Sequence, residues 1–200
     1  MKKRKIVLTQ DEVTRMLLKL LAQCYASEKE AIKDSGVSAT LGVPIGFKAY
    51  VAKEDKWSCF NTYTVGEAGN SWGSVVLYYR DHLIFYMSFG GYVALYLCEQ
   101  FGINPKQVTD FLKQALLAQY SQWEQGLKAF LGGRGPFNFI GTEDIIKDQK
   151  LRYRNRPLGG HAIHTVQGRD YIELIGPTKG MPTELLYHHD YLGGLLIEAE

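Results

Sequence analysis

Apolar and polar positions divide the chain into helical and extended stretches. Thr9-Gln10-Asp11-Glu12 has the form of a capping box, in which the Thr9 hydroxyl accepts from the Glu12 backbone N–H and Glu12 reaches back. Val13, Met16, Leu17, Leu20, Leu21 and Cys24 then recur at helical spacing, while Asp11, Arg15, Lys19 and Glu28 lie largely off that stripe. A helix is therefore expected from Thr9 towards Asp34-Ser35-Gly36, where turn residues gather. Asn104-Pro105 marks a second helix start, an Asn cap with Pro at the first helical position. Its stripe runs from Val108, Phe111, Leu112 and Ala115 to Leu127 and Phe130, and Gly132-Gly133 ends it. Gln119 interrupts the stripe and is expected at its edge.

The remaining apolar runs read as strands. Ser74 to Gly91 predicts a long hairpin about Arg80-Asp81-His82, rich in Val, Ile, Tyr and Phe. Both of its alternating faces are apolar, which predicts a central pair covered on both sides. Its turn lacks the Asn-Gly of a tight hairpin, so a connection longer than two residues is expected. Trp57 to Val65 predicts a strand and Phe47 to Val51 a shorter one, while periodicity leaves Tyr92 to Phe101 open between strand and short helix. Further strands are expected at Phe137 to Gly141, Lys150 to Asn155, His161 to Gln167, Tyr171 to Gly176 and parts of Glu184 to Ile197. Gly168-Arg169-Asp170 reads as a hairpin turn between two of them, and Pro177 to Pro182 as a loop. No internal repeat stands out. This order predicts an α+β fold, a twisted, mostly antiparallel sheet with two main amphipathic helices packed on it. Residues 1–200 are expected to form one domain, with residues 1–8 as a flexible basic tail.

Composition narrows the function classes. A hydrophobic fraction of 46% supplies a core, and 13 Tyr with 9 Phe favour a ring-rich sheet or an aromatic-lined pocket. A net charge of +2 gives no global drive towards polyanions, so any such contact must rest on a local cluster. Only Ile6 to Leu8 follow the basic run Lys2 to Lys5, which predicts a soluble, cytoplasmic protein without membrane contact. Cys24, Cys59 and Cys98 are too widely spaced for a zinc site and odd in number for a disulfide framework.

Several stretches together resemble a bacterial family, the domain of unknown function numbered 5680, whose members are sometimes fused behind a helix-turn-helix domain. They are Leu17 to Tyr25, Asn61-Thr62-Tyr63, Trp72-Gly73 through Met87-Ser88-Phe89-Gly90-Gly91, Asp110 to Leu116, Arg134-Gly135-Pro136, and Leu185 to Gly194. Where that family usually shows Asp before Thr/Ser-Tyr, this chain has Asn61, and Ser74 and Val75 stand in place of acidic or amide residues. The resemblance implies a compact α+β domain and brings no activity with it.

Three groups of residues carry candidate chemistry. His188 and Asp190 share a strand face in Tyr187-His188-His189-Asp190-Tyr191, and a carboxylate beside an imidazole orients a general base. Arg152, Arg154 and Arg156 alternate with Tyr153 and Asn155, so three guanidinium groups project from one face and suit an anion, or guard a sheet edge. Rings such as Tyr63, Tyr79 and Tyr86 could wall a small-molecule site, with Arg134 or Glu173 holding the ligand. His161 and His164 are three apart and would face opposite sides of a strand, so no metal site is expected. The favoured reading is a domain that binds a small molecule or protein partner in an aromatic-lined pocket. The alternatives are a small enzyme using His188 and Asp190 without a cofactor, and anion or nucleic-acid binding through the arginines. Ligand, reaction and oligomeric state stay open at this point.

Overall fold

A computed structural model of the chain describes residues 6–27, 48–121, 137–146, 148–158, 163–176 and 183–197. Three helices lie among them, α1 (Gln10–Leu21), α2 (Leu95–Phe101) and α3 (Pro105–Ser121). Eight strands accompany them: β1 (Lys48–Glu54), β2 (Trp57–Val65), β3 (Asn70–Tyr79), β4 (His82–Val93), β5 (Phe137–Ile140), β6 (Lys150–Pro157), β7 (Val166–Ile175) and β8 (Glu184–Leu195). The fold is therefore α+β with the sheet dominant, and α2 is a third helix beside the two expected.

All eight strands form one antiparallel sheet in the order β1-β2-β3-β4-β8-β7-β6-β5. Two four-stranded meanders thus meet at the β4–β8 seam, and each is preceded by a helix, α1 in one case and α3 in the other. This two-part symmetry has no counterpart in an evident sequence repeat. The helices lie on one face. α1 contacts β1, β2 and α3, α2 contacts β8, and α3 contacts β5 and β6.

Local chemistry explains the helix starts. Thr9 Oγ1 accepts from the Glu12 N–H at 3.1 Å, as the capping box requires. Asn104 Oδ1 accepts from the Lys106 N–H at 2.9 Å while Gln107 Oε1 accepts from the Asn104 N–H at 3.0 Å. Gly102, at φ 65°, ends α2 in the left-handed conformation that glycine adopts without steric cost. α1 stops at Leu21, well short of Asp34, and turns carry the chain to Ser27, whose hydroxyl donates to the Cys24 carbonyl at 2.6 Å. Residues 28–47 and 122–136, into which both helices were expected to run, lie outside the described residues.

The helix stripes and the sheet's inner face make the core. Val13, Leu17, Leu20 and Leu21 join Leu77, Ile84 and Phe85, while Val108, Phe111, Leu112 and Ala115 join Tyr153, Ile172 and Leu186. Each such fully buried large aliphatic or aromatic side chain contributes on the order of 1.5–3 kcal/mol.

Four expectations need correction. The β3–β4 connection is two residues long, with Tyr79 opposite His82, and Arg80 takes the strain at φ 54°. The hairpin is covered on its inner face alone: Val75 and Leu77 are buried, whereas Trp72 and Tyr86 stand exposed on the other side. Gly168-Arg169-Asp170 is no turn but lies inside β7, and the chain turns instead at Ile163 to Thr165, within the stretch expected as a strand. β6 is not an edge, because β5 pairs with it from Arg152 to Asn155.

Candidate functional site

Strand alternation decides which side chains meet the helices. One inner row crosses the sheet as Tyr63, Gly73, Phe89, Tyr191 and Gly168, each opposite the next. The neighbouring row runs Gly91, His189, Asp170 and Asn155. Two glycines make room for rings in the first row. A Cβ on Gly73 would enter the Phe89 ring, and one on Gly168 would enter the Tyr191 phenol. The second row carries polar groups into the core, where each must find a partner or remain costly.

A cavity of about 120 Å³ lies between these rows and helices α1 and α3. Tyr25, Tyr63, Phe89, Tyr120, Tyr187 and Tyr191 form its ring wall, and Asn61, Ser71, Thr109, Asp170 and His189 are its polar points. Leu21, Val75, Met87 and Leu112 close the apolar remainder. Tyr25 packs edge-on against Tyr63 at 5.2 Å between centroids, and His189 sits between Phe89 at 4.8 Å and Tyr187 at 5.7 Å. No lysine or arginine is among the described lining residues.

Asp170 is the electrostatic centre. Its side chain is 9% exposed, and its Oδ1 accepts from the Tyr153 hydroxyl at 2.8 Å and from Asn155 Nδ2 at 2.7 Å. Asn155 uses its second N–H on the Tyr191 hydroxyl at 2.9 Å. A phenol carries one proton, so with that proton on Asp170 the Gln119 amide serves Tyr153 by turning an N–H towards its oxygen. The other carboxylate oxygen, Oδ2, has His189 Nδ1 at 3.5 Å, too long for a good hydrogen bond. Burial, and after it the Asp170 charge, push the phenols of Tyr120, Tyr153, Tyr187 and Tyr191 upward. Burial likewise raises Tyr25 and Tyr63. All six rings are therefore neutral donors near neutral pH.

Two buried atoms on the cavity wall, Asn61 Oδ1 and His189 Nδ1, have no hydrogen-bond partner among the described residues. Asn61 is 8% exposed. Either atom left unsatisfied costs on the order of 1–3 kcal/mol.

The residues singled out by sequence scatter across both faces. Tyr63 lines the cavity. Tyr79 packs instead on Trp57 at 4.8 Å with the Arg80 guanidinium over its ring, and Tyr86 is exposed on the outer face. Glu173 also faces outward, where its carboxylate holds Arg152 at 2.7 Å and Arg154 at 3.4 Å, so it joins the arginines and not the cavity. Arg156 is exposed beside them. Arg134 and His161 lie outside the described residues.

His188 and Asp190 do share a face, the outer one, in an open groove with Trp72, Tyr92 and Leu192. His188 Nε2 is 3.5 Å from Asp190 Oδ1, which also takes the Arg169 guanidinium at 2.8 Å. The same oxygen thus faces both the Arg169 guanidinium and the His188 imidazole on an exposed surface. The Ser88 hydroxyl, also in the groove, donates to the Leu192 carbonyl at 3.3 Å.

The inner polar cluster escaped the sequence. Asp170 hid inside a Gly-Arg-Asp step that looks like a turn, and Gln119 looked peripheral yet is fully buried. A signal was present: Gly168, Asp170, Ile172 and Leu174 alternate with period two, which places Asp170 on a core-facing register.

Among the described residues no group of three or more His, Cys, Asp and Glu could hold a metal ion, and no helix is long and apolar enough to cross a membrane. No family model, curated protein or solved structure matches the chain.

Proposed function

We propose that this protein binds a small molecule in the cavity between the sheet and helices α1 and α3. The observation that carries the reading is the pair of unsatisfied atoms, Asn61 Oδ1 and His189 Nδ1, on the wall of an otherwise ring-lined hollow. Buried polar atoms are nearly always hydrogen-bonded, and a ligand beside either atom would supply its missing partner. Core packing alone would favour Leu over Asn at position 61. The volume limits the ligand to about one ring, since a cavity of roughly 150 Å³ takes benzene.

Cys24, Cys59 and Cys98 are buried thiols outside any disulfide, which suits a reducing compartment and directs the search to cytoplasmic metabolites. We also propose that the chain is a divergent member of the family of domain of unknown function 5680. Its glycine pairs, Gly90-Gly91 and Gly193-Gly194, support this by sitting on the two strands of the β4–β8 seam.

The test uses native mass spectrometry and thermal shift on the whole protein against a library of compounds of about ten heavy atoms or fewer. Wild type is expected to bind, and Val75→Phe, which fills the cavity, to lose binding. Asn61→Leu is expected to raise Tm by about 2–4 °C while weakening the ligand, because it removes an unsatisfied atom. Equal binding by Val75→Phe and wild type would place the ligand elsewhere, and no binding by wild type would end the reading.

A further inference from the structure

We infer that the cavity takes a small organic cation, an amine of about one ring in bulk whose N–H groups reach Asp170. The inference rests on the pocket reading and adds the charge of the ligand.

Two observations on Asp170 point to that charge. Asp170 is a buried carboxylate on the cavity wall, and its neutral donors, Tyr153 and Asn155, are both spent on Oδ1. Oδ2 has no hydrogen bond from a described residue, only the His189 imidazole at 3.5 Å, so an N–H donor from a ligand has an acceptor waiting. An ammonium group supplies several donors at once and is the natural complement of a carboxylate oxygen and its negative charge.

The ring wall points the same way. Aromatic faces carry negative potential and attract ammonium groups, an effect that strengthens where water is excluded. Two of these rings already do so, with Lys48 Nζ 5.8 Å from the Tyr63 centroid and Lys113 Nζ 5.3 Å from that of Tyr25, although neither lysine is among the described lining residues of the cavity. An anionic ligand would meet Asp170 with no described lysine or arginine on the wall to offset it. His189 is the one lining group able to carry positive charge, and a cation drawn to Oδ2 competes with it for the carboxylate. Size excludes larger cations, because about 120 Å³ cannot hold a polyamine chain.

Isothermal titration of the whole protein with benzylamine, benzyl alcohol and benzoate, which share one ring and differ in charge, separates the outcomes. Benzylamine is expected to bind at least about tenfold tighter than the alcohol, the factor one charge-assisted hydrogen bond supplies, and benzoate not at all. Asp170→Asn is expected to abolish the preference for amine over alcohol while the alcohol still binds, and the wild-type series stands without that variant. Alcohol binding as tightly as the amine, or benzoate binding best, would overturn the cation inference and leave the pocket in place. Binding by none of the three overturns the cation inference, and it overturns the pocket as well if the unbiased library also finds no ligand.

Discussion

Asp170 and His189 stand directly opposite each other across the β7–β8 pair, with Oδ2 3.5 Å from Nδ1. The same register places Asn155 directly opposite Asp170 on the other side, so one crossing row of the sheet carries the acid between an amide and an imidazole. Tyr153, two residues before Asn155 on the same face, completes the set. The pleat thus fixes this cluster, with no loop involved, and such sites are more rigid than loop-borne ones.

Removal of the acceptor should therefore be far worse than removal of the charge. Asp170→Ala strands the Tyr153 hydroxyl and one Asn155 N–H in the core, a loss of about 3–5 kcal/mol, whereas Asp170→Asn keeps an oxygen for both donors and costs about 1 kcal/mol. Urea unfolding of the two variants measures the difference. Equal stabilities would mean that these hydrogen bonds do not hold β6 to β7.

Alkaline pH should unfold the protein through its buried phenols. Tyr25, Tyr63, Tyr120, Tyr153, Tyr187 and Tyr191 all lie above the ordinary value of 10, chiefly through burial. A raised value in the folded state means the folded chain holds these protons when the unfolded chain releases them. Their stabilisation is then complete below about pH 10 and is lost as pH climbs through the folded values. Melting temperature is expected to stay level from about pH 8 to about pH 10 and to fall beyond. Tyrosinate absorbance should rise in two stages, the exposed rings first and the buried ones only with unfolding. A single smooth titration of all 13 tyrosines with an unchanged melt would contradict their burial.

Much of the fold was legible because local signals and packing agree. Thr9 and Asn104 cap the helices as their spacing requires, and β2 matches its apolar run from Trp57 to Val65. Where the reading went astray, a residue served a distant partner. Gly168 looks like turn chemistry, but its missing side chain accommodates Tyr191, 23 residues further along and opposite it in the sheet. His188 drew notice through its neighbour Asp190, while His189, the next residue, points inward and faces an acid on another strand. Local pattern reveals a face, and only the register reveals what stands opposite.

That account of Gly168 can be tested directly. Gly168→Ala would drive a methyl group into the Tyr191 phenol and close to the Arg156 carbonyl, an overpacking that costs about 1–3 kcal/mol. Tyr191→Phe removes the hydroxyl that the methyl strikes, so the double variant should lose less than the sum of the two single losses. Chemical denaturation of all four proteins gives the coupling. Strict additivity would show that Gly168 is needed for its backbone alone.

The outer arginine stripe invites a last experiment, because Glu173 changes what it can do. One carboxylate holds both Arg152 and Arg154, which leaves the stripe of three guanidinium groups with a net charge of two. For duplex DNA the logarithm of affinity falls with the logarithm of salt concentration at about 0.9 per neutralised phosphate. The wild-type slope should then be no steeper than about −2, and Glu173→Gln, which frees the third charge, should steepen it by about one and tighten binding at low salt. Fluorescence anisotropy of a short labelled duplex from about 50 to about 200 mM salt reads both quantities. Identical slopes for wild type and Glu173→Gln would show that the stripe makes no phosphate contact, and that its ion pairs serve only to fasten β6 to β7 on the solvent side.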